Sequence, residues 1–143
     1  MIPLLTNIGS YIKTVINAFS AGATSAVTGA AIQIVGPGYQ YKSGQLALYL
    51  GAATGAPSAV SVVAKVQHSA DGSTNWTDFS DNYGVGSVTV AAASTEGNQN
   101  IILQGAQAYI RLVVTPTLTG GTTPAIPLAA AIVLGGTSEH PAV

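Results

Sequence analysis

The amino-acid sequence predicts an all-β fold: a single-domain antiparallel β-sandwich, jelly-roll-like, with about eight short strands. Three observations predict it: period-two alternation of apolar residues, abundant β-branched side chains, and Gly, Pro or Asp-Gly turns at intervals of about 8–12 residues. The length of 143 residues fits one domain. The predicted strands cover residues 10–17, 24–35, 45–50, 59–68, 75–79, 87–92, 98–103, 108–115 and 125–134.

The first three segments are predicted as strands from their residue types. Residues 10–17 and 24–35 are rich in β-branched and aromatic side chains, which fit a pleated surface better than a helix. A Gly-Pro-Gly turn ends the second segment. Residues 45–50 place three leucines on one face and Ala47 and Tyr49 on the other, which is the period of a strand.

The clearest strand spans residues 59–68, where valine and alanine alternate with a second, increasingly polar set of side chains. Asp71 and Gly72 follow in a turn, because glycine takes a positive φ without a Cβ clash and aspartate caps the turn through its side chain. The chain then returns along residues 75–79. We expect a β-hairpin that Trp76 covers.

The C-terminal half contains three further strand segments between residues 87 and 115, spaced as in sandwiches and barrels. Residues 116–124, with two adjacent glycines and several threonines, are predicted as a loop. Residues 125–134 are almost continuously apolar, and Pro127 opposes a helix interior, so they are predicted as a strand. The three consecutive alanines in this segment are also compatible with a helix, which remains the alternative prediction there.

The charge content is the most unusual feature of the composition. Only 6% of residues are charged, against about 25% in an ordinary domain, and the net charge is −1. The four cations are scattered, which excludes nucleic-acid binding through phosphate neutralisation. The apolar run 125–134 is too short to span a bilayer, so we expect no membrane partner. Low net charge favours association, and we expect a homo-oligomer, a dimer or a trimer.

Residues for chemistry are sparse, and we expect no enzymatic activity. There is no cysteine, and neither His68 nor His140 has the spacing of a metal ligand. Asp71, Asp78 and Asp81 do not follow a calcium-loop pattern, so turn capping is favoured over calcium binding. No nucleophile, base and acid stand in a recognisable arrangement. The sequence therefore predicts no catalytic residues, no metal and no cofactor.

The sequence also suggests three regions: residues 1–9 as an apolar N-terminal arm, residues 10–136 as the β-sandwich domain, and residues 137–143 as an extended tail. The arm either grips a partner or packs within its own domain. Its candidate interface residues are Ile2, Pro3, Leu4, Leu5 and Ile8.

Two segments carry a family resemblance. Residues 62–78 (VVAKVQHSADGSTNWTD) and residues 109–115 (YIRLVVT), in a chain rich in Ala, Gly, Thr and Val, resemble the capsid decoration, or cement, proteins of tailed bacteriophages. The resemblance implies a viral structural protein, made in the host cytoplasm and located on the outer surface of the virion. There it would bridge subunits of an HK97-type major capsid protein.

The same two segments also resemble discoidin-like carbohydrate-binding β-sandwiches, which have a Ser-x-Asp-Gly turn followed closely by a tryptophan and a later Tyr-x-Arg strand. This resemblance implies an adsorption module on a phage particle, with Trp76 and Arg111 as the glycan platform. The aromatic content of 6% is low for sugar stacking. A purely structural interpretation accounts for both likenesses, because an Asp-Gly turn makes the hairpin and tryptophan covers it.

Overall fold

The structure is a computed structural model that describes residues 12–137. The predicted arm, with Ile2, Pro3, Leu4, Leu5 and Ile8, lies outside the described residues, as does the tail from residue 138 onward. Between residues 12 and 137 the chain forms strands, turns and loops and no helix. The all-β prediction is confirmed.

Twelve strands occur in the described part of the chain. Five of them contain only two residues, while four contain ten or eleven, so the prediction of about eight short strands understated both the number and the range of lengths. The strands are β1 (Lys13–Ala23), β2 (Val27–Thr28), β3 (Ile32–Gln33), β4 (Val35–Gly36), β5 (Tyr39–Gln40), β6 (Ser43–Leu50), β7 (Ala59–Ser69), β8 (Thr77–Asp78), β9 (Ser87–Val90), β10 (Glu96–Ile102), β11 (Tyr109–Thr119) and β12 (Ile126–Gly135).

The long strands form two antiparallel sheets. The four-stranded sheet has the order β1-β12-β6-β10. The six-stranded sheet has the order β2-β11-β7-β8, with β3 also paired to β11 and β9 to β7. The strands β4 and β5 form a small separate ladder. The predicted antiparallel sandwich is therefore correct.

The core lies between the two sheets and is built by alternating side chains. Along β12, buried residues alternate with half-buried ones over the whole strand. On β6 the inward positions are Leu46, Leu48 and Leu50, the face that the sequence predicted. Because each inward side chain of β6 and β12 faces the opposite sheet, this alternation fixes which face of these two strands is buried.

Two predicted elements differ in extent. Residues 24–35 form short strands and intervening connections instead of one continuous strand. Strand β11 continues through Pro116 to Thr119, so the prediction of a loop over residues 116–124 is wrong for its first four residues. Pro116 pairs with Val62 on β7, beyond the stretch of β11 that pairs with β2. Proline is tolerated in a strand where one side of the ladder is open.

A bulge in β1 joins the two sheets through Asn17. The register between β1 and β12 shifts between Ile16 and Ala18, which leaves Asn17 as the extra residue. Its Oδ1 accepts a hydrogen bond from the Leu112 N–H of β11 at 2.7 Å, and its Nδ2 donates to the Ala30 carbonyl at 2.7 Å. A Cβ at Gly29 would overlap the Asn17 side chain. Glycine at position 29 therefore lets the 24–35 segment approach β1.

We expect Asn17→Ala to lower the free energy of unfolding by about 1–3 kcal/mol, because it leaves the Leu112 N–H without its acceptor. Urea denaturation measures the change. Asn98→Ala, at an exposed position of β10, is the matched control and should stay within about 0.5 kcal/mol of the wild type. Equal effects of the two substitutions would contradict the bridging role of Asn17.

Candidate functional site

The outer face of the four-stranded sheet is apolar across three strands. Strand pairing aligns Ile16 of β1 with Ala131 and Ala47, and Phe19 of β1 with Ala129 and Tyr49. The large side chains are exposed by 71% at Ile16, 68% at Phe19 and 53% at Tyr49. We call this surface the apolar face; it consists of Ile16, Phe19, Ala47, Tyr49, Ala129, Ala131 and Val133.

The exposed large apolar side chains of the described residues all lie on or beside this face. Besides Ile16, Phe19 and Tyr49 they are Ile102, at the end of β10, and Tyr83, in the loop next to it. Scattered single apolar residues are normal on a protein surface, but a contiguous group marks an interaction site. The apolar face is therefore the strongest candidate functional surface in the described part of the chain.

Two hollows lie along the same face. The larger, of about 620 Å³, is bordered by Ser43, Gln45 and Val133 of the sheet and by Tyr83 of the neighbouring loop. The smaller, of about 300 Å³, lies between Phe19 and Tyr49, with Ala129 in its lining. On this face the side chains of Phe19 and Tyr49 thus project on either side of the small side chain of Ala129.

The apolar face is also almost uncharged. Among the outward positions of its four strands in the described structure, Glu96 is the single carboxylate, and it lies on the edge strand β10. Polar groups on β6 and β10 bond to each other, as Gln45 Nε2 does to Asn100 Oδ1 at 3.0 Å. A partner for this face must therefore bind through packing rather than through charge.

Asp81 fixes the loop that borders the larger hollow. Its Oδ1 accepts hydrogen bonds from the N–H groups of Tyr83 and Val85, both at 2.9 Å, and its Oδ2 accepts one from the Ile102 N–H at 3.0 Å. The bond from Ile102 is the main reason that the pKa of this carboxyl lies below its ordinary value. The Asp81 residue is buried and anchors the loop to β10.

The outer face of the six-stranded sheet carries Trp76 and Arg111, the predicted glycan platform. The structure brings them together, with the Arg111 guanidinium 4.2 Å from the centre of the Trp76 ring. The Arg111 Nε and Nη2 atoms both donate to Gln67 Oε1, at 3.0 and 2.8 Å. A cation over the indole stabilises the pair and occupies one face of the ring.

Neighbouring polar side chains complete this cluster. Lys65 Nζ forms an ion pair with Asp78 Oδ2 at 2.7 Å, and Gln67 Nε2 donates to Asp78 Oδ1 at 2.9 Å. The hydrogen bond from Lys65 is the largest cause of the lowered pKa of Asp78. These groups satisfy one another across β7, β8 and β11, which is the arrangement of a structural surface network.

The turn between β7 and β8 is capped as the sequence predicted. Asp71 Oδ1 accepts hydrogen bonds from the N–H groups of Ser73 and Thr74, at 2.9 and 2.8 Å. The hydrogen bond that the Thr74 hydroxyl donates to this carboxylate contributes most to holding the pKa of Asp71 well below its usual range. Gly72 has a φ of 72° and lies against the Tyr109 ring, where a Cβ would crowd the ring. Strands β7 and β8 pair as the predicted hairpin.

Groups for metal binding do not converge in the part of the chain that the structure describes. No cluster of three or more His, Cys, Asp or Glu side chains that could hold a metal occurs between residues 12 and 137. His68 Nδ1 accepts a hydrogen bond from the Gln107 N–H at 3.2 Å, and its ring packs 5.2 Å from that of Phe79. The same range contains no helix capable of crossing a membrane.

The sequence interpretation missed the apolar face. It ended the first strand at residue 17, whereas β1 continues to Ala23 and presents Phe19 on the outer surface. The sequence contains a partial signal for this face, since the alternation along residues 45–50 places Tyr49 opposite the leucines. Only the pairing of β1 with β12 and of β12 with β6 places Phe19 in line with Tyr49.

Comparison with known proteins identifies the fold. No protein-family model and no curated protein matches the sequence. The crystal structure of the PBSX exported protein XepA superposes on 96% of this chain with a TM-score of 0.58 and 14% identity, and the chain spans 41% of XepA. The Triatoma virus empty capsid superposes on 92% of this chain and 90% of its own with a TM-score of 0.52 and 6% identity.

A further solved structure, the SPBc2 prophage-derived protein YomS, covers 85% of this chain and 94% of its own at 12% identity, with a TM-score of only 0.38. At these identities the likeness shows the fold alone. The protein therefore has an all-β, jelly-roll-like sandwich fold, and a viral capsid protein and a phage-derived protein have a similar fold.

We expect Asp81→Asn to be less stable than the wild type at pH 7, because it weakens the anchor of the 81–85 loop. The folded-state pKa of Asp81 is lowered, so its stabilising contribution is complete above the unfolded-state pKa and is lost as the pH falls through the folded-state value. The difference between variant and wild type should therefore shrink below about pH 4.

Urea denaturation at neutral and acid pH measures this difference. Glu96→Gln, which removes an exposed carboxylate from β10, is the control and should stay within about 0.5 kcal/mol of the wild type at pH 7. A difference between Asp81→Asn and the wild type that stays constant down to the acid transition would contradict the anchoring role of Asp81.

Proposed function

We propose that this protein is a non-enzymatic structural component of a tailed-bacteriophage particle. It binds the outer surface of the assembled capsid shell and stabilises the shell by bridging neighbouring subunits of an HK97-type major capsid protein. After synthesis in the host cytoplasm it becomes part of the virion. The observation that supports this proposal above all is the apolar face, because a component of an assembly buries such a surface against other protein molecules, whether shell subunits or further copies of itself.

The physical basis of stabilisation is mass action. A protein that binds the assembled shell more tightly than the free subunits opposes disassembly, and the effect grows with its concentration relative to its Kd. A shell repeats the same binding site many times, so that each individual interface can be modest. A charge-poor surface of this kind associates through packing and backbone hydrogen bonds, which are less sensitive to salt than phosphate or ion-pair contacts.

The polar residues support a structural role in preference to catalysis. Within the described residues, Asp71 caps a turn, Asp78 pairs with Lys65, and Asp81 holds a loop. Hydrogen-bond donors lower the pKa of each of these carboxyls and keep it ionised, whereas a general acid needs a raised pKa near the working pH. No conventional catalytic arrangement is assembled from them.

Carbohydrate binding is the second candidate, supported by the juxtaposition of Trp76 and Arg111 on one surface. The same geometry argues against carbohydrate binding, because the Arg111 guanidinium covers one face of the indole and donates two hydrogen bonds to Gln67. Sugar stacking would have to use the remaining face of a single, half-buried ring.

Deletion of Met1 to Ile8 should leave a folded β-sandwich and weaken attachment to capsids by about tenfold or more, since burial of one large apolar side chain contributes about 1.5–3 kcal/mol. Co-sedimentation with purified capsids and the copy number per particle measure attachment. Deletion of His140 to Val143 is the control and should leave attachment unchanged. An unchanged copy number per particle after the N-terminal deletion would show that the arm is not the segment that binds the capsid.

Trp76→Ala should leave capsid attachment unchanged if the shell-binding proposal is correct. A glycan array and a capsid co-sedimentation assay, run on the wild type and this variant, separate the two candidates. Saturable glycan binding that is lost in Trp76→Ala, together with no affinity for capsids, would replace the shell-binding proposal with the carbohydrate-binding one.

A further inference from the structure

We propose that the apolar face is the interface between two copies of this chain, which pack face to face about a two-fold axis. The proposal goes beyond the function above and does not depend on it, because it concerns the protein in the absence of any capsid. It names the surface through which the charge-poor chain associates with itself.

The apolar face can meet a copy of itself without electrostatic repulsion. A two-fold interface brings identical surfaces together, so any charge in its centre faces a copy of the same surface. The one charged residue of β1, β12 and β6 is Lys13, at the first position of β1, where the register pairs it with the inward-facing Leu134, and Glu96 lies on the outer edge at β10. The ion pair of Lys65 with Asp78 and the Arg111 guanidinium lie on the other sheet. The neutral face is therefore the one that a second copy can cover without repulsion.

The outer face of the four-stranded sheet is large enough for a specific interface between two copies. Strands lie about 4.8 Å apart and rise about 3.3 Å per residue, so the three strands of the apolar face together with the polar edge strand β10 cover on the order of 500 Å² over about eight residues. Two such faces bury about 1,000 Å² in total, which is the threshold for a specific interface. The exposed side chains of Ile16, Phe19 and Tyr49 project from this plane and add to the buried area.

The shape of the apolar face also suits contact with a second copy. The rings of Phe19 and Tyr49 stand on either side of Ala129, and the hollow between them has a volume of about 300 Å³. A ring projecting from a second copy can enter this hollow, and the two-fold axis repeats the contact in the opposite direction. Large side chains beside small ones allow two sheet faces to interdigitate.

A dimer could alternatively form by pairing of two β1 edges, which would extend the sheet. The register of β1 shifts between Ile16 and Ala18 and again between Ser20 and Ala23. Irregularities of this kind twist an edge strand and interrupt its row of backbone groups, which opposes edge-to-edge pairing. The β1 edge is therefore less suited to pairing with a second copy than the face of the sheet.

Sedimentation equilibrium of the purified full-length protein tests the interface. The wild type should have twice the mass of the 14.2 kDa chain, and Phe19→Asp should raise the dimer dissociation constant by about tenfold or more. Thr117→Asp is the matched control, since it places the same residue at an exposed strand position of the other sheet and should leave the dimer intact. Circular dichroism and urea denaturation establish that each variant is folded.

A second measurement locates the contact. The chain has no cysteine, so Ala131→Cys introduces a single thiol at the centre of the apolar face and Thr117→Cys one on the opposite side. We expect slow alkylation at position 131 in the dimer, fast alkylation at position 117, and fast alkylation at both positions in the Phe19→Asp background.

Three results would overturn the proposal: a wild type that stays monomeric at its highest soluble concentration, a dimer that survives Phe19→Asp with position 131 freely alkylated, or a trimer. A trimer is excluded by the proposal because a face-to-face isologous contact closes at two copies. Loss of capsid attachment in a protein that still dimerises would instead concern the proposed function alone, so the two proposals fail separately.

Discussion

The strand β12 contributes both to the hydrophobic core and to the apolar outer face of this protein. It lies between β1 and β6, and its residues alternate strictly between the core and the outer surface. The inward series, from Ile126 to Leu134, supplies one wall of the core. The outward series is also apolar, with Ala129, Ala131 and Val133, so that the same run of sequence that builds the sandwich provides the floor of the apolar face.

The two sheets have opposite surface chemistry as a result. The six-stranded sheet carries the ion pair of Lys65 with Asp78 and the stack of Arg111 on Trp76, and its side chains bond to one another. The four-stranded sheet carries large exposed apolar side chains and almost no charge on its outer face. One side of the molecule is thus suited to water and the other to contact with protein, which is the asymmetry that the proposed structural role requires.

Local signals predicted the elements whose pattern is complete within a few residues. The Asp71-Gly72 turn, the hairpin of β7 with β8, and the leucine face of β6 all follow from turn chemistry or period-two alternation. Prediction was wrong where the decisive partner is distant in sequence. The continuation of β11 through Pro116 depends on its pairing with β7, and the break within residues 24–35 depends on the approach of Gly29 to Asn17.

The sequence by itself determined the fold class, the hairpin and the small number of charged groups, because turn residues, strand periodicity and composition are properties of short segments or of the whole chain. Only the tertiary structure decided that Phe19, Ala129 and Tyr49 form one row, since these residues come from three strands far apart along the chain. It also decided that one face of the Trp76 ring is covered by Arg111 rather than open. Surfaces made by strand pairing depend on register, and register is a property of the assembled sheet.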